Sequence, residues 1–185
     1  MKLTTVCHQT LSKYIKPDWT VVDATLGNGH DALFLLQQLK GSGQLIGFDI
    51  QDAAITNTQD KLAATDYNNY QLIKSCHSKL QTCLAEKEIS KINLITYNFG
   101  YLPGGDHEVT TESETSLESI QQAMQLLAPG GIMSLMLYPG HPAGKVESKA
   151  IEDFIELNTA NINWTKNKGD SEKSDAPFYL IGVIS

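Results

Sequence analysis

The chain reads as an α/β protein built on a mostly parallel sheet, with helices on both faces and an antiparallel hairpin at its end. Three observations carry this. Short runs rich in β-branched residues alternate with amphipathic stretches along the chain, the pattern of parallel strands joined by helical crossovers. A glycine turn follows the first strand and opens a helix. The last two strand-like runs have no helix between them, so they pair as a hairpin and give the sheet an antiparallel edge.

Residues 3–15 form an amphipathic helix that stops at Lys16-Pro17-Asp18, since proline biases the residue before it towards extended backbone. TVVDAT (20–25) is short and β-branched, hence a strand. Gly27-Asn28-Gly29 makes a tight turn, and DALFLLQQLK (31–40) is a helix closed by Gly41. QLIGFDI (44–50) is the second strand, residues 51–64 a helix, and YQLIKS (70–75) the third strand. A short helix covers 78–87, and INLITYN (92–98) is the fourth strand. SLESIQQAMQLLA (116–128) is a helix ended by Pro129-Gly130-Gly131. IMSLMLY (132–138) is the fifth strand and VESKAIEDFIELN (146–158) a further helix. NINWTKN (161–167) and PFYLIGVIS (177–185) form the hairpin.

With 185 residues, 41% hydrophobic and 19% charged, the chain suits a single domain, residues 1–185, with a full core. It has no apolar run of about 18 residues, so no membrane span is expected. The start lacks the apolar core of a signal peptide, and a cytoplasmic protein is the expectation. Cys7, Cys76 and Cys83 are an odd count without metal-ligand spacing, so free thiols and no metal are expected. The net charge is −7 and all 14 basic residues are lysine. The lack of arginine argues against a large phosphate-tracking surface, though not against a small nucleic-acid contact.

Ligands of such sheets bind beyond the carboxyl ends of the strands, where strand order reverses. In DATLGNGHDA (23–32) glycines let the backbone turn tightly beside a helix N-terminus. Asp49 closes the second strand, 20 residues beyond Gly29, where an acid can accept both hydroxyls of a ribose. An adenosine-type cofactor follows. Gly27-Asn28-Gly29-His30-Asp31-Ala32 can be forced into the dinucleotide pattern G-x-G-x-x-A. The form D-x-x-x-G-x-G, with Asp23 at the strand end, favours S-adenosylmethionine (SAM) instead. An acid there can meet the cationic α-amino group of a methionine moiety and would sit awkwardly against a pyrophosphate. The cofactor set is Asp23, Thr25, Gly27, Asn28, Gly29, His30, Asp31, Asp49, Ile50, Gln51, Cys76, His77 and Asn98. His77 stands open between an adenine contact and a helix-cap role.

NFGYLPGGD (98–106) is the substrate end. Asn98-Phe99-Gly100-Tyr101 resembles the Asp/Asn-Pro-Pro-Tyr/Phe loop of SAM-dependent N-methyltransferases, with Phe99 and Gly100 in place of the prolines. The Asn98 carbonyl can hold an attacking amine, and Tyr101 offers a face on which a planar base can stack. Pro103 and Gly104 would fix the loop, and Asp106 is a candidate proton acceptor. YPGHPAGK (138–145) adds Tyr138, His141 and Lys145 as substrate contacts, with His141 a second candidate acceptor. Pro177, in KSDAPF (173–178), belongs to the same rim.

DATLGNGHD, GFDIQ, NFGYLPGGD, YPGHPAGK and APF together resemble the signatures of the rRNA methylase family, class I SAM-dependent methyltransferases of Gram-positive bacteria and relatives. The resemblance covers nearly the whole chain. It implies a Rossmann-like class I methyltransferase fold with a seven-stranded sheet, SAM as cofactor and a homodimer. The family's characterised activity implies N-methylation of 5-aminomethyl-(2-thio)uridine at the tRNA wobble position, with the anticodon loop as partner. Ala143 displaces the usual second glycine of the Gly-His-Pro loop, and Ser113 stands where proline is often seen. Other classes stay open at this point: a methyltransferase on rRNA or a small amine, a nicotinamide-dependent oxidoreductase, and a non-catalytic SAM-binding module.

Overall fold

The structure is a computed structural model that describes residues 1–100, 104, 110–158, 161–169, 173 and 175–185. Its strands are β1 (Thr20–Asp23), β2 (Gln44–Asp49), β3 (Tyr70–Lys74), β4 (Ile92–Asn98), β5 (Leu127–Leu137), β6 (Ile162–Asn167) and β7 (Phe178–Ile184). Its helices are α1 (Leu3–Leu11), α2 (His30–Leu39), α3 (Asp52–Ala63), α4 (Leu80–Ala85), α5 (Ser113–Leu126) and α6 (Pro142–Leu157), with a 3₁₀ turn at His77–Lys79. The seven strands lie in the order β3-β2-β1-β4-β5-β7-β6. Neighbours from β3 to β5 are parallel, and β7 runs antiparallel between β5 and β6. The order reverses between β1 and β4, which opens a crevice at their carboxyl ends.

Alternation along the strands divides the core into two layers. On β4, Leu94 packs with Leu11, Leu35, Leu36, Leu39 and Leu62 of α1, α2 and α3. Its neighbours Ile95 and Tyr97 point the other way, towards Leu80, Leu84, Ile120, Ala123, Ile151 and Ile155 of α4, α5 and α6. Both faces are therefore covered, as a parallel sheet requires.

Three elements begin several residues earlier than their sequence suggests: α5 at Ser113 rather than 116, and the two that follow it. Pro129-Gly130-Gly131 does not end a helix. α5 stops at Leu126, and β5 has already begun at Leu127, which is buried and pairs with Ile92. Residues 127 to 132 on β5 then face only 92 to 94 on β4. The Pro-Gly-Gly triplet fills that bulge, with Gly130 at φ +73°, a conformation glycine adopts cheaply. α6 begins at Pro142 rather than at 146. Proline is well placed in the first turn, where its missing N–H is no loss, and the His141 Nδ1 accepts from the Gly144 N–H at 3.1 Å to cap the helix. Among the described residues no helix is long and apolar enough to cross a membrane.

Candidate active site

Five strand ends and the N-terminus of α2 surround one cavity of about 260 Å³ at the carboxyl edge of the sheet. The loop after β1 forms its floor. There the Gly27 N–H donates to Asp49 Oδ2 at 3.0 Å and the Gln51 N–H to Asp49 Oδ1 at 2.9 Å. Each carboxylate oxygen is thus fixed by one backbone amide and keeps lone pairs for a ligand. Gly29, at φ +71°, caps α2 in the left-handed region. A Cβ there would come within 2.9 Å of the Thr58 backbone, so the turn can sit against α3 only with glycine.

Asp23 ends β1 with its side chain sealed from water. Its Oδ1 accepts from the Thr25 N–H at 3.2 Å, while Oδ2 has no hydrogen-bond partner among the described residues. Burial, and then the nearby Asp31 carboxylate, hold the Asp23 pKa well above the usual range. An orphaned buried oxygen beside a second acid is a place for a cation.

Asn98, at the end of β4, is held at three points. Its N–H donates to Thr25 Oγ1 at 2.7 Å, its Nδ2 donates to Asp31 Oδ2, and Tyr138 donates its hydroxyl to Asn98 Oδ1 at 3.4 Å. Desolvation pushes the Tyr138 phenol up to about 12, with Asp31 and Cys7 adding to it, so it stays a donor. On its other oxygen Asp31 meets His8 Nε2 of α1 at 2.8 Å. At the far end of the cavity the His77 ring stands edge-on to Tyr97 and Phe99, at 6.0 and 6.5 Å between centroids. Burial pushes its pKa down to about 4, so the ring is neutral. Its Nδ1 is buried without a hydrogen-bond partner among the described residues.

A second, open cleft of about 400 Å³ adjoins the first. Thr110 and Thr111 belong to both, and the first turn of α6 forms the opposite wall.

Residues 45–182 match the model of the family described as "Putative rRNA methylase". The chain belongs to this rRNA methylase family. It is 35% identical, over 83% of its length, to the chloroplastic tRNA (mnm(5)s(2)U34)-methyltransferase of Arabidopsis thaliana, and it spans 58% of that protein. The "putative rRNA-methylase" of Clostridium thermocellum superposes with a TM-score of 0.91 at 30% identity, covering 100% of this chain and 98% of that one. A "putative methyltransferase" of Streptococcus mutans, solved in complex with SAH, gives a TM-score of 0.84 at 27% identity, over 100% and 99% of the two chains. The seven-stranded sheet with its antiparallel β7 is the class I methyltransferase fold.

Most of the residues singled out in the sequence come together in this cavity. Thr25, Gly27, Asn28, His30, Asp31, Asp49, Ile50, Gln51, Cys76, His77, Asn98 and Tyr138 all line it. Asp23 and Gly29 do not: the first lies sealed behind the wall, and the second acts through the packing of its turn. His141 is also absent from the lining, because its ring caps α6 instead. Gly104, Lys145 and Pro177 are exposed and lie outside the lining. The Asp175 carbonyl stands 3.6 Å from where a Cβ on Gly140 would be, so the segment before Pro177 borders the Gly-His-Pro loop. Tyr101, Pro103 and Asp106 lie outside the described residues.

The sequence reading missed Thr4 and His8 of α1, and Thr110, Thr111 and Thr115 around the start of α5. The threonine-rich run 110–115 was visible as a pattern. Nothing local marked His8, a histidine on an amphipathic helix.

Proposed function

We propose that this protein is a SAM-dependent N-methyltransferase that converts 5-aminomethyl-(2-thio)uridine to 5-methylaminomethyl-(2-thio)uridine at the tRNA wobble position. The observation that carries the reading is the position of Asn98, whose side-chain carbonyl lies on the cavity wall between Asp31 and Tyr138. The similarity to the chloroplastic tRNA methyltransferase supports the choice of substrate, and the SAH-bound neighbour supports the cofactor.

The cavity fits that cofactor. Among the described residues Asp23 Oδ2 lacks a partner, which an ammonium group would provide. Asp49 is anchored to accept ribose hydroxyls, and the neutral His77 has an Nδ1, unpartnered among the described residues, for a purine edge. Thr25, Gly27, Asn28, His30, Ile50, Gln51 and Cys76 complete the enclosure. Bound SAM would supply an electrophilic methyl group on a cationic sulfonium.

The protein's own task is positioning. An alkylamine with a reference pKa of ~10.4 is under about one part in a thousand neutral at pH 7, so the site must take a proton as well as hold the nitrogen. Asn98 Oδ1 accepts an N–H of the amine and leaves its lone pair free. Tyr138 and, on our reading, Tyr101 flank the base. Asp106 is the proposed proton acceptor; His141, whose Nδ1 already accepts from the Gly144 N–H, would have to release the α6 cap to act in its place. Pro103, Gly104, Lys145 and Pro177 form the rim that meets the anticodon loop. An unpaired loop base can be splayed out at little cost, and a shallow rim with few lysines then suffices.

We further read residues 1–185 as one cytoplasmic domain that works as a homodimer. The single sheet shared by both core layers supports the first part.

The test is methyl transfer from labelled SAM to RNA of a strain lacking this protein, with tRNA and rRNA separated and nucleosides identified by mass spectrometry. Conversion of 5-aminomethyl-2-thiouridine to its N-methyl form is expected. Label in rRNA, or none despite measured SAM binding, overturns the tRNA reading.

A further inference from the structure

We infer that His8 and Asp31 are positioning residues that lock the Asn98 amide with its carbonyl turned to the incoming nucleophile. This rests on the amine-methylation reading of the same site.

An asparagine amide has a donor end and an acceptor end of nearly equal shape, and only its partners decide which way it faces. The Asn98 backbone is anchored through Thr25 Oγ1 at 2.7 Å, which leaves rotation of the amide as the open question. An ionised carboxylate can only accept. Asp31 Oδ2 therefore requires Nδ2 on its side, and Nδ2 is what it meets. Oδ1 is driven to the opposite side, where the Tyr138 hydroxyl reaches it only at 3.4 Å. A contact that long leaves acceptor capacity for a substrate N–H.

Asp31 could impose this only if its own carboxylate were fixed. His8 Nε2 holds Oδ1 at 2.8 Å. The His8 ring lies flat on Phe34, 4.0 Å between centroids and 5° from parallel. Phe34 stands one turn after Asp31 on α2, so one histidine from α1 grips the helix at two neighbouring points. The Asp31 carboxylate requires Nε2 to carry the proton. The chain of direction runs from His8 through Asp31 to Asn98. A flipped amide would aim an N–H at the lone pair of the amine and quench the nucleophile.

The experiment compares wild type with His8→Ala and His8→Gln, because glutamine can still donate to Asp31. SAH affinity is measured by calorimetry, kcat and KM with the amine-bearing RNA, and the Asn98 side-chain amide and His8 ring by ¹⁵N NMR. His8→Ala should lower kcat by up to about 100-fold, leave SAH affinity and KM within about twofold, and shift the Asn98 amide signal. His8→Gln should recover most of kcat. In wild type the His8 ring should be protonated at Nε2.

An unchanged kcat in His8→Ala, a parallel loss of SAH affinity, or a glutamine variant no better than alanine overturns the inference while leaving the function standing. A wild type that binds SAH but methylates no amine overturns the function, and the inference with it.

Discussion

A carboxyl group cut off from water, with one oxygen unpartnered, holds on to its proton. Asp23 is such a group among the described residues, and in the cofactor-binding role proposed for it its raised pKa would tie cofactor binding to pH. The stability it contributes is present below its ordinary value of 3.8 and is lost as pH rises through the raised one. Asp31 and Asp49 act on it in the same direction. A cation placed against Oδ2 reverses that preference, so a ligand bringing one must expel the proton. SAH affinity should therefore strengthen as pH rises above the ordinary value of 3.8 and towards the raised one, by at most about tenfold per unit. Calorimetry in two buffers of different ionisation enthalpy should detect proton release. Asp23→Asn should bind about 10- to 100-fold more weakly, since a hydrogen bond to a charged group is worth about 1.5–3 kcal/mol, and its affinity should be flat with pH. Proton release that survives in Asp23→Asn would assign the linkage to another acid. The position of Asp23 was legible, because it closes the first strand. Its isolation was not, because burial of one oxygen depends on packing from β4 and α2. His8 was illegible for a related reason: its partners lie 23 residues or more away, beyond any local pattern.

Elements meet the site through their ends, and the two ends of one long connection are tied together. The Thr111 N–H donates to the Gly100 carbonyl at 3.0 Å, and the Gly100 N–H donates to Thr111 Oγ1 at 2.8 Å. Thr111 then gives its hydroxyl proton to Glu147 Oε2 on α6, while Ser116 on α5 gives its own to Oε1, both at 2.7 Å. One buried carboxylate thus joins β4, α5 and α6 at the exit of the Asn98 strand. Burial raises its pKa while the two hydroxyls oppose the shift, the mark of an acid that depends on its donors. Glu147→Ala would strand both hydroxyls. A loss of roughly 1–3 kcal/mol in stability is expected, read by denaturant unfolding, with KM for RNA rising more than the SAH dissociation constant. An equal rise in both would show that Glu147 supports the cofactor cavity rather than the RNA side. Nothing in VESKA announced this role. The helix start at Pro142 was misread because proline and glycine together look like loop, although proline is favoured in a first helical turn. The strands and the glycine turn were legible because β-branched runs and left-handed positions are local facts.

At the scale of the whole molecule the charge balance has to be reconciled with the proposed RNA substrate. The net charge is −7, with lysine as the sole basic residue besides histidine. Several lysines are already engaged: Lys74 with Asp52, Lys149 with Asp153, Lys166 with Glu152 and over the Phe178 ring, and Lys61 with His30. Lys145, exposed in the first turn of α6 beside the second cleft, forms no ion pair among the described residues. Each phosphate neutralised in a single-stranded contact contributes about 0.7 to the slope of log affinity against log salt. One chain with two or three such contacts should therefore give a slope of about −1.4 to −2.1, measured by tRNA binding across a series of KCl concentrations. Lys145→Ala should flatten it by close to one contact's share. Recognition would then rest on the splayed base in the cavity rather than on the backbone, and affinity should hold well as salt rises. A slope steeper than about −5 would call for more lysines than this face supplies. A second copy of the chain would then have to carry part of the anticodon stem, and the slope would fall back in a monomeric variant.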